Sequence, residues 1–181
     1  MNLCVYGSSY DTIDPEYIRQ TELLGEELAK RGHTMVYGGG ARGLMGAAAR
    51  GMKRGGGHII GIAPSFFDVE GELFADCDEM IMPETMSERK QLFLEKADAF
   101  LVLPGGIGTM DEFFETIVLK SFSLQKKPIV FYNIKGYFDK LQEMLEYGVE
   151  EGFISPRGLS LYSMFRTPEE LIIYLEVRSR L

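Results

Sequence analysis

The chain alternates short apolar runs with amphipathic stretches along nearly its whole length. The apolar runs predict six strands, over residues 2–6, 34–37, 58–63, 79–82, 99–103 and 128–132. The amphipathic stretches predict six helices, over residues 15–31, 44–53, 87–97, 110–124, 137–147 and 168–177. Strands that alternate with helices in this way predict an α/β fold, in which a parallel sheet is covered by helices on both faces.

The first predicted helix carries clear start and stop signals. Pro15 fits its first turn, Ile18, Leu24 and Leu28 form an apolar face, and Gly32 ends it. The helix at 44–53 is instead rich in small residues, which predicts close packing on the sheet.

A length of 181 residues suits one compact domain, and no repeat, low-complexity tract or linker divides it. We therefore predict a single domain over residues 1–181. The segment at 65–78 is the least regular part of the chain, and we expect it to form a loop over a ligand site.

Composition and charge exclude several classes of protein. The formal net charge of -8 argues against nonspecific nucleic-acid binding, which needs a basic surface. No apolar run reaches the ~18 residues of a membrane span, and no signal-peptide pattern is visible, so we expect a cytoplasmic protein without membrane contact. Cys4 and Cys77 are too few for a disulfide framework, and His33 and His58 do not form a metal-ligand pattern.

Three glycine or serine turns follow predicted strands, at residues 7–9, 38–40 and 105–108. Parallel sheets bind ligands at the carboxyl ends of their strands, near the point where the strand order reverses. The three turns therefore predict a ligand site at one edge of the sheet.

The turn at 105–108 has the chemistry of a phosphate site. Gly105, Gly106 and Gly108 permit a positive φ, and Pro104 ends the strand before them. A helix is expected to start near Thr109, where unpaired backbone N–H groups and the positive end of the helix dipole attract an anion. The sequence therefore predicts that a nucleotide phosphate binds here.

A purely structural interpretation accounts for part of this motif. Thr109 and Glu112 have the spacing of a capping box, in which each side chain bonds a backbone N–H at the helix start. A capping box explains these two residues without a ligand, but it does not explain Gly105 and Gly106.

The other motifs narrow the choice of ligand. The glycines at 38–46 follow the second strand, whereas a dinucleotide fingerprint follows the first strand, and no Walker pattern is present. A nicotinamide dehydrogenase or an ATPase is therefore a poor match. Thr85 and Glu88 again have capping-box spacing; alternatively, Arg89 and Lys90 at this helix start face the bound anion.

Residues 38–46 (GGGARGLMG), 86–90 (MSERK) and 104–112 (PGGIGTMDE), in this order and spacing, resemble the Lonely Guy (LOG) family. Its members are cytokinin riboside 5′-monophosphate phosphoribohydrolases, and the resemblance covers nearly the whole chain. Some relatives have been labelled lysine decarboxylases, but no pattern here singles out a Schiff-base lysine for pyridoxal phosphate.

The resemblance implies a Rossmann-like doubly wound sheet, a homodimer, and hydrolysis of the N-glycosidic bond of AMP or N6-prenylated AMP without a metal or other cofactor. The products would be the free base and ribose 5-phosphate. The family's catalytic arginine and glutamate match Arg89 and Glu112. Substrate contacts are expected from Ser8, Gly39, Gly40, Glu72, Met86, Arg89, Lys90, Gly105, Gly106, Ile107, Gly108 and Thr109.

Three positions depart from the family pattern. The family often has histidine where Ser87 stands and an aromatic residue where Ile107 stands, and plant members carry threonine at the position of Val118. These departures leave both catalytic positions unchanged but put the preference for the base in question.

As a mechanism, we expect Glu112 to stabilise positive charge on the ribose and to orient the attacking water. Arg89 would either bond the departing base or clamp the phosphate, and its permanent charge favours electrostatic help over proton donation. The alternative function is a nucleotide- or cofactor-binding protein of the same fold without catalysis.

Overall fold

The computed structural model describes residues 1–67 and 72–179 and contains one parallel sheet. Its strands are β1 (Asn2–Tyr6), β2 (Thr34–Tyr37), β3 (His58–Ile62), β4 (Glu79–Ile81), β5 (Ala99–Val102), β6 (Ile129–Tyr132) and β7 (Ser163–Phe165). The strand order is β4-β3-β2-β1-β5-β6-β7, and every neighbouring pair is parallel. The order therefore reverses between β1 and β5, which confirms the predicted Rossmann-like doubly wound sheet.

Helices cover both faces of this sheet. They are α1 (Pro15–Lys30), α2 (Gly43–Arg54), α3 (Met86–Lys96), α4 (Ile107–Ser121), α5 (Asp139–Glu150) and α6 (Pro168–Arg178). Helices α1, α2 and α6 contribute to one apolar cluster, whereas α3, α4 and α5 contribute to the other. No helix in the described part of the chain is both long enough and apolar enough to cross a bilayer.

The structure corrects the prediction at three places. The short edge strand β7 was not predicted, because its three residues are only partly buried and show no apolar alternation. Helix α4 begins at Ile107 rather than near Thr109 or Met110. Helix α5 begins at Asp139, because a 3₁₀ turn with Lys135 at a φ of 54° comes first.

The segment at 65–78 contains two regular features within the described residues. A 3₁₀ turn spans Ser65–Phe67, and Leu73 forms an isolated antiparallel bridge with Gly40. Residues 68–71 lie outside the described residues, so the prediction of a loop over the site stays a prediction for that part.

The small residues of α2 allow a close approach, and the nearest element is α1. A Cβ on Gly25 of α1 would lie 2.6 Å from the carbonyl oxygen of Ala48. A Cβ on Gly51 of α2 would overlap the carbonyl oxygen of Glu22. The two main chains are therefore in contact, and a side chain at either glycine would separate the helices.

We expect Gly51→Ala to lower the free energy of unfolding by about 1–3 kcal/mol, because the obstructing atom belongs to the backbone and cannot rotate away. Urea denaturation measures this change. Gly148→Ala is the matched control, since its Cβ would lie 2.8 Å from Cδ1 of Ile154, the end of a side chain that can turn aside. Equal stability of the two variants would contradict main-chain contact between α1 and α2.

Candidate active site

The three turns predicted at strand ends meet where the strand order reverses. The N–H of Ser8, just after β1, donates to the carbonyl of Pro104, just after β5, at 3.0 Å. The carbonyl of Ser8 accepts from the N–H of Leu44 in α2 at 2.8 Å. Ser8 therefore ties the turn after β1 both to the turn after β5 and to the helix that follows β2.

The two helix starts at this edge differ in how their N–H groups are used. In α2, the N–H of Gly43 donates to Oδ1 of Asp11 at 2.8 Å, and Leu44 and Met45 both donate to the carbonyl of Ser8. In α4, the N–H groups at 107–109 have no acceptor within the described residues. An anion is therefore attracted to the start of α4 and not to that of α2.

The capping box predicted at Thr109 and Glu112 is wrong. Gly106 is the N-cap of α4 and receives no side-chain capping bond, because the helix starts before Thr109. Thr109 is buried within the first turn, and the Glu112 side chain bonds Arg89 instead of the backbone of the turn. The structural interpretation thus explains neither residue.

The glycines of this turn have separate roles. None of Gly105, Gly106 and Gly108 has a positive φ. A Cβ on Gly105 would overlap Oγ1 of Thr109, so the fold itself requires glycine there. A Cβ on Gly106 or Gly108 would meet no protein atom within 4 Å, so the space above these two residues is open.

Arg89 and Glu112 form a buried ion pair beside this turn. Nη1 of Arg89 donates to Oε1 of Glu112 at 3.1 Å, and their side chains are 10% and 15% exposed. Nε of Arg89 also donates to the carbonyl of Ile62 at the end of β3, at 3.1 Å. The guanidinium therefore reaches from α3 to both α4 and β3.

The environment of Glu112 affects its ionisation. Burial raises the pKa of the Glu112 carboxyl above its ordinary value, while the positive charge and hydrogen bond of Arg89 act in the opposite direction. Arg89 thus limits the rise of the Glu112 pKa, and a carboxyl with a shifted pKa in such a position is a feature of many catalytic sites.

Lys90 points to a different surface from Arg89. Its Nζ lies 2.8 Å from Oδ2 of Asp111 and 2.9 Å from Oε2 of Glu115, and these carboxylates raise the pKa of the lysine. In the structure Lys90 therefore links α3 to α4, and its predicted contact with the substrate stays a prediction.

The start of α3 is capped as the sequence predicted. The N–H of Glu88 donates to Oγ1 of Thr85 at 3.1 Å, and the N–H of Thr85 donates to Oε2 of Glu88 at 3.3 Å. The cap and the ion pair coexist, because Arg89 follows one position later on the inner side of the helix. Met86 is the first residue of α3 and is partly exposed.

Glu72 lies against the glycine turn that follows β2. Its carbonyl accepts from the N–H of Ala41 at 2.9 Å, and its carboxylate lies 3.2 Å from Nη1 of Arg42. Gly39 adopts a φ of 77°, and Gly40 pairs with Leu73 in the isolated bridge. The positive φ accounts for glycine at position 39, whereas a Cβ on Gly40 would lie 3.0 Å from Cε of Met45, the end of a flexible side chain. Contact of either glycine with a substrate remains a prediction.

The sequence analysis missed Tyr137. Its hydroxyl donates to the carbonyl of Gly105 at 2.7 Å, and its side chain is partly exposed at the same edge of the sheet. The sequence could have indicated this position, because Tyr137 comes shortly after β6, and the carboxyl end of β6 lies beside that of β5.

Together, these groups suit a reaction on a phosphorylated sugar. The start of α4 offers open N–H groups to an anion, and Glu112 places a carboxylate one turn further along the same helix. Arg89 adds a fixed cation next to that carboxylate.

Comparisons with known proteins identify the family of the chain. A family model described as "Possible lysine decarboxylase" matches residues 45–175. The cytokinin riboside 5′-monophosphate phosphoribohydrolase LOG of Oryza sativa subsp. japonica is 36% identical over 177 residues, covering 96% of this chain and 72% of that protein. The cytokinin riboside 5′-monophosphate phosphoribohydrolase LOG7 of Arabidopsis thaliana is 33% identical over 177 residues, covering 96% of this chain and 80% of that protein.

Solved structures share the fold at lower identity. The molybdenum cofactor carrier protein of Chlamydomonas reinhardtii superposes with a TM-score of 0.73 at 18% identity, covering 99% of this chain and 98% of that chain. The molybdenum cofactor binding protein of Rippkaea orientalis gives 0.71 at 19% identity, covering 97% and 94%. These similarities extend to the fold alone. The family model and the plant enzymes, however, match most of the sequence, and the chain therefore belongs to the Lonely Guy family of nucleotide phosphoribohydrolases.

Proposed function

We propose that the chain, acting as one nucleotide-binding domain, hydrolyses the N-glycosidic bond of AMP or of an N6-substituted AMP. The products are the free base and ribose 5-phosphate. The observation that carries the proposal is the buried Arg89–Glu112 ion pair beside the open start of α4. The names of the plant relatives, which describe cytokinin riboside 5′-monophosphates, support the substrate class.

In this proposal the substrate phosphate binds at the start of α4. The N–H groups of Ile107, Gly108 and Thr109 donate to it, and the open space above Gly106 and Gly108 admits it close to the backbone. The ribose then lies toward Glu112. Ser8, Gly39, Gly40, Glu72, Met86, Lys90 and Gly105 are proposed to surround the remainder of the nucleotide.

Glu112 acts on the ribose. Cleavage of the bond to the purine builds positive charge on the sugar ring, and a nearby carboxylate stabilises that charge and orients the water that attacks the anomeric carbon. The buried position of Glu112 strengthens this interaction, because little water competes for the charge.

Arg89 has two possible sites of action in this proposal. It donates hydrogen bonds either to the base, which gathers negative charge as it leaves, or to the phosphate. In both cases it acts by charge, because a guanidinium keeps its proton at any ordinary pH.

The test is release of free base from AMP and from N6-isopentenyl-AMP, followed by chromatography. We expect turnover by the wild-type protein and a loss of roughly a hundredfold in kcat for Glu112→Gln, because an amide keeps the shape but not the charge. Glu95→Gln, on the exposed side of α3, is the matched control and should keep full activity. Tight AMP binding in calorimetry without any turnover would overturn the hydrolase in favour of a nucleotide-binding protein.

A second experiment separates the two kinds of glycine in the turn. We expect Gly106→Ala to weaken AMP binding at least roughly tenfold while the melting temperature stays unchanged, because the added methyl group enters only open space. Gly105→Ala should instead lower the melting temperature, since its Cβ overlaps Thr109. Unchanged AMP affinity of Gly106→Ala would place the phosphate elsewhere.

We also propose that the chain forms a homodimer through the outer face of α4. Exposed apolar side chains recur at helical spacing along this face, at Ile107, Phe114, Val118 and Phe122. Phe122 is 72% exposed and Ile107 is 91% exposed, and Met144 and Tyr147 on α5 add further exposed apolar surface to the same side of the sheet. Apolar groups in such a contiguous arrangement are typical of a contact with another protein surface.

Light scattering after gel filtration tests the dimer. We expect the wild-type chain to show twice its chain mass of 20.4 kDa, and Val118→Lys to shift the population toward the monomer, because the interface would bury an unpaired charge. Ile173→Lys is the control, since Ile173 is similarly exposed but lies on α6, at the opposite face of the sheet. A wild-type protein that is monomeric at all concentrations would refute the dimer.

A further inference from the structure

Gly38 lies directly against the guanidinium of Arg89. A Cβ on Gly38 would be 2.5 Å from Nη2 of Arg89 and 3.7 Å from its Cζ. Gly38 has no positive φ, so its backbone conformation does not require glycine. The feature that does require it is the space that the arginine side chain fills.

The ring of Phe93 forms a second contact with the same group. Cζ of Arg89 lies 4.7 Å from the centre of this ring, a cation–π distance. Phe93 is fully buried and packs edge-on against Tyr6, with ring centres 6.0 Å apart. The ring is therefore fixed by the core and cannot follow the arginine if the arginine moves.

We propose that Gly38 and Phe93 are positioning residues that hold the Arg89 guanidinium against Glu112 before the substrate arrives. This inference rests on the proposed hydrolase function, since it concerns the same site. Together with the bond from Nε to the carbonyl of Ile62, the two contacts set both the location and the tilt of the guanidinium plane. A catalytic charge that is already in place does not have to reorganise during the reaction.

The effect of Gly38→Ala depends on the atom that the added methyl group would displace, which is Nη2 of Arg89. Nη2 is the end of a flexible side chain, so the protein can fold by moving the guanidinium about 1 Å, from 2.5 Å to beyond the 3.4 Å of ordinary contact. Such a shift disturbs the bonds of Arg89 with Glu112 and Ile62. We expect kcat/KM for AMP to fall roughly tenfold or more and the melting temperature to change little.

Glu112 reports the displacement directly. The charges that shift its pKa are those of Arg89 and Lys90 on α3 and of Asp111 on its own helix. Cys4 and Tyr6 on β1 also face it, but burial raises their own pKa values, so both are uncharged where Glu112 titrates. Among these groups, the added Cβ of Gly38→Ala meets Arg89 alone. Because the charge of Arg89 lowers the pKa of Glu112, moving it away raises that pKa. The acidic limb of the pH profile of kcat/KM then moves to higher pH.

The experiment therefore has two readouts. Carboxyl NMR of the ligand-free protein measures the pKa of Glu112 in wild type, Gly38→Ala, Phe93→Leu and the control Gly148→Ala, and steady-state kinetics measures the pH profile. We expect the Glu112 pKa to be higher in Gly38→Ala and in Phe93→Leu than in wild type, and to stay unchanged in Gly148→Ala. In an Arg89→Lys background, a single ammonium group replaces the guanidinium and the Nη2 atom beside Gly38 is absent, so Gly38→Ala should have little further effect on the pKa.

The outcomes separate this inference from the proposed function. An unchanged Glu112 pKa in Gly38→Ala and Phe93→Leu would overturn the positioning role, even if activity fell through general loss of folded protein. An equal pKa shift in the Arg89→Lys background would also overturn it. Absence of base release by the wild-type protein would instead refute the hydrolase, while the NMR titration would still decide whether Gly38 and Phe93 position Arg89.

Discussion

The arrangement of this site depends on the pairing of two buried charges. An arginine whose side chain is only 10% exposed needs a carboxylate and further hydrogen-bond acceptors, because an unpaired charge in this position would cost several kcal/mol. Glu112 and the carbonyl of Ile62 meet this need, and they come from α4 and from the end of β3. The requirement therefore fixes α3 relative to two elements that are distant in sequence. Lys90 strengthens the same junction through its ion pairs with α4.

Two helices begin with glycine turns at this edge, and the hydrogen bonds of their first N–H groups distinguish them. The start of α2 is closed by Ser8 and Asp11, so its first N–H groups are not available to an anion. The start of α4 keeps its N–H groups open, although its glycines look similar in the sequence. A glycine count alone thus carries no functional information, because the same residue type permits either a close contact or an open approach.

Much of the fold could be predicted because the central strands β1, β5 and β6 are nearly continuous buried apolar runs. Strand β7 could not be predicted, because its own residues show no strand pattern and only its pairing with β6 makes it a strand. The start of α4 was misplaced because Thr109 looks like a cap, whereas Gly106 takes that position in the folded chain. The family motif pointed to Arg89 and Glu112, but no sequence pattern reveals that Gly38 leaves space for the arginine.

The charges around the site also limit how a phosphate is held. Arg89 and Lys90 already neutralise carboxylates of α4, where Asp111, Glu112 and Glu115 stand close together. A phosphate that relied on these two cations would have to break existing ion pairs and expose carboxylates to an incoming anion. The backbone N–H groups at the start of α4 carry no such cost, because they have no competing acceptor within the described residues. For the proposed hydrolase, the helix start is therefore the better anchor for the phosphate, and this favours the alternative in which Arg89 acts on the base rather than on the phosphate.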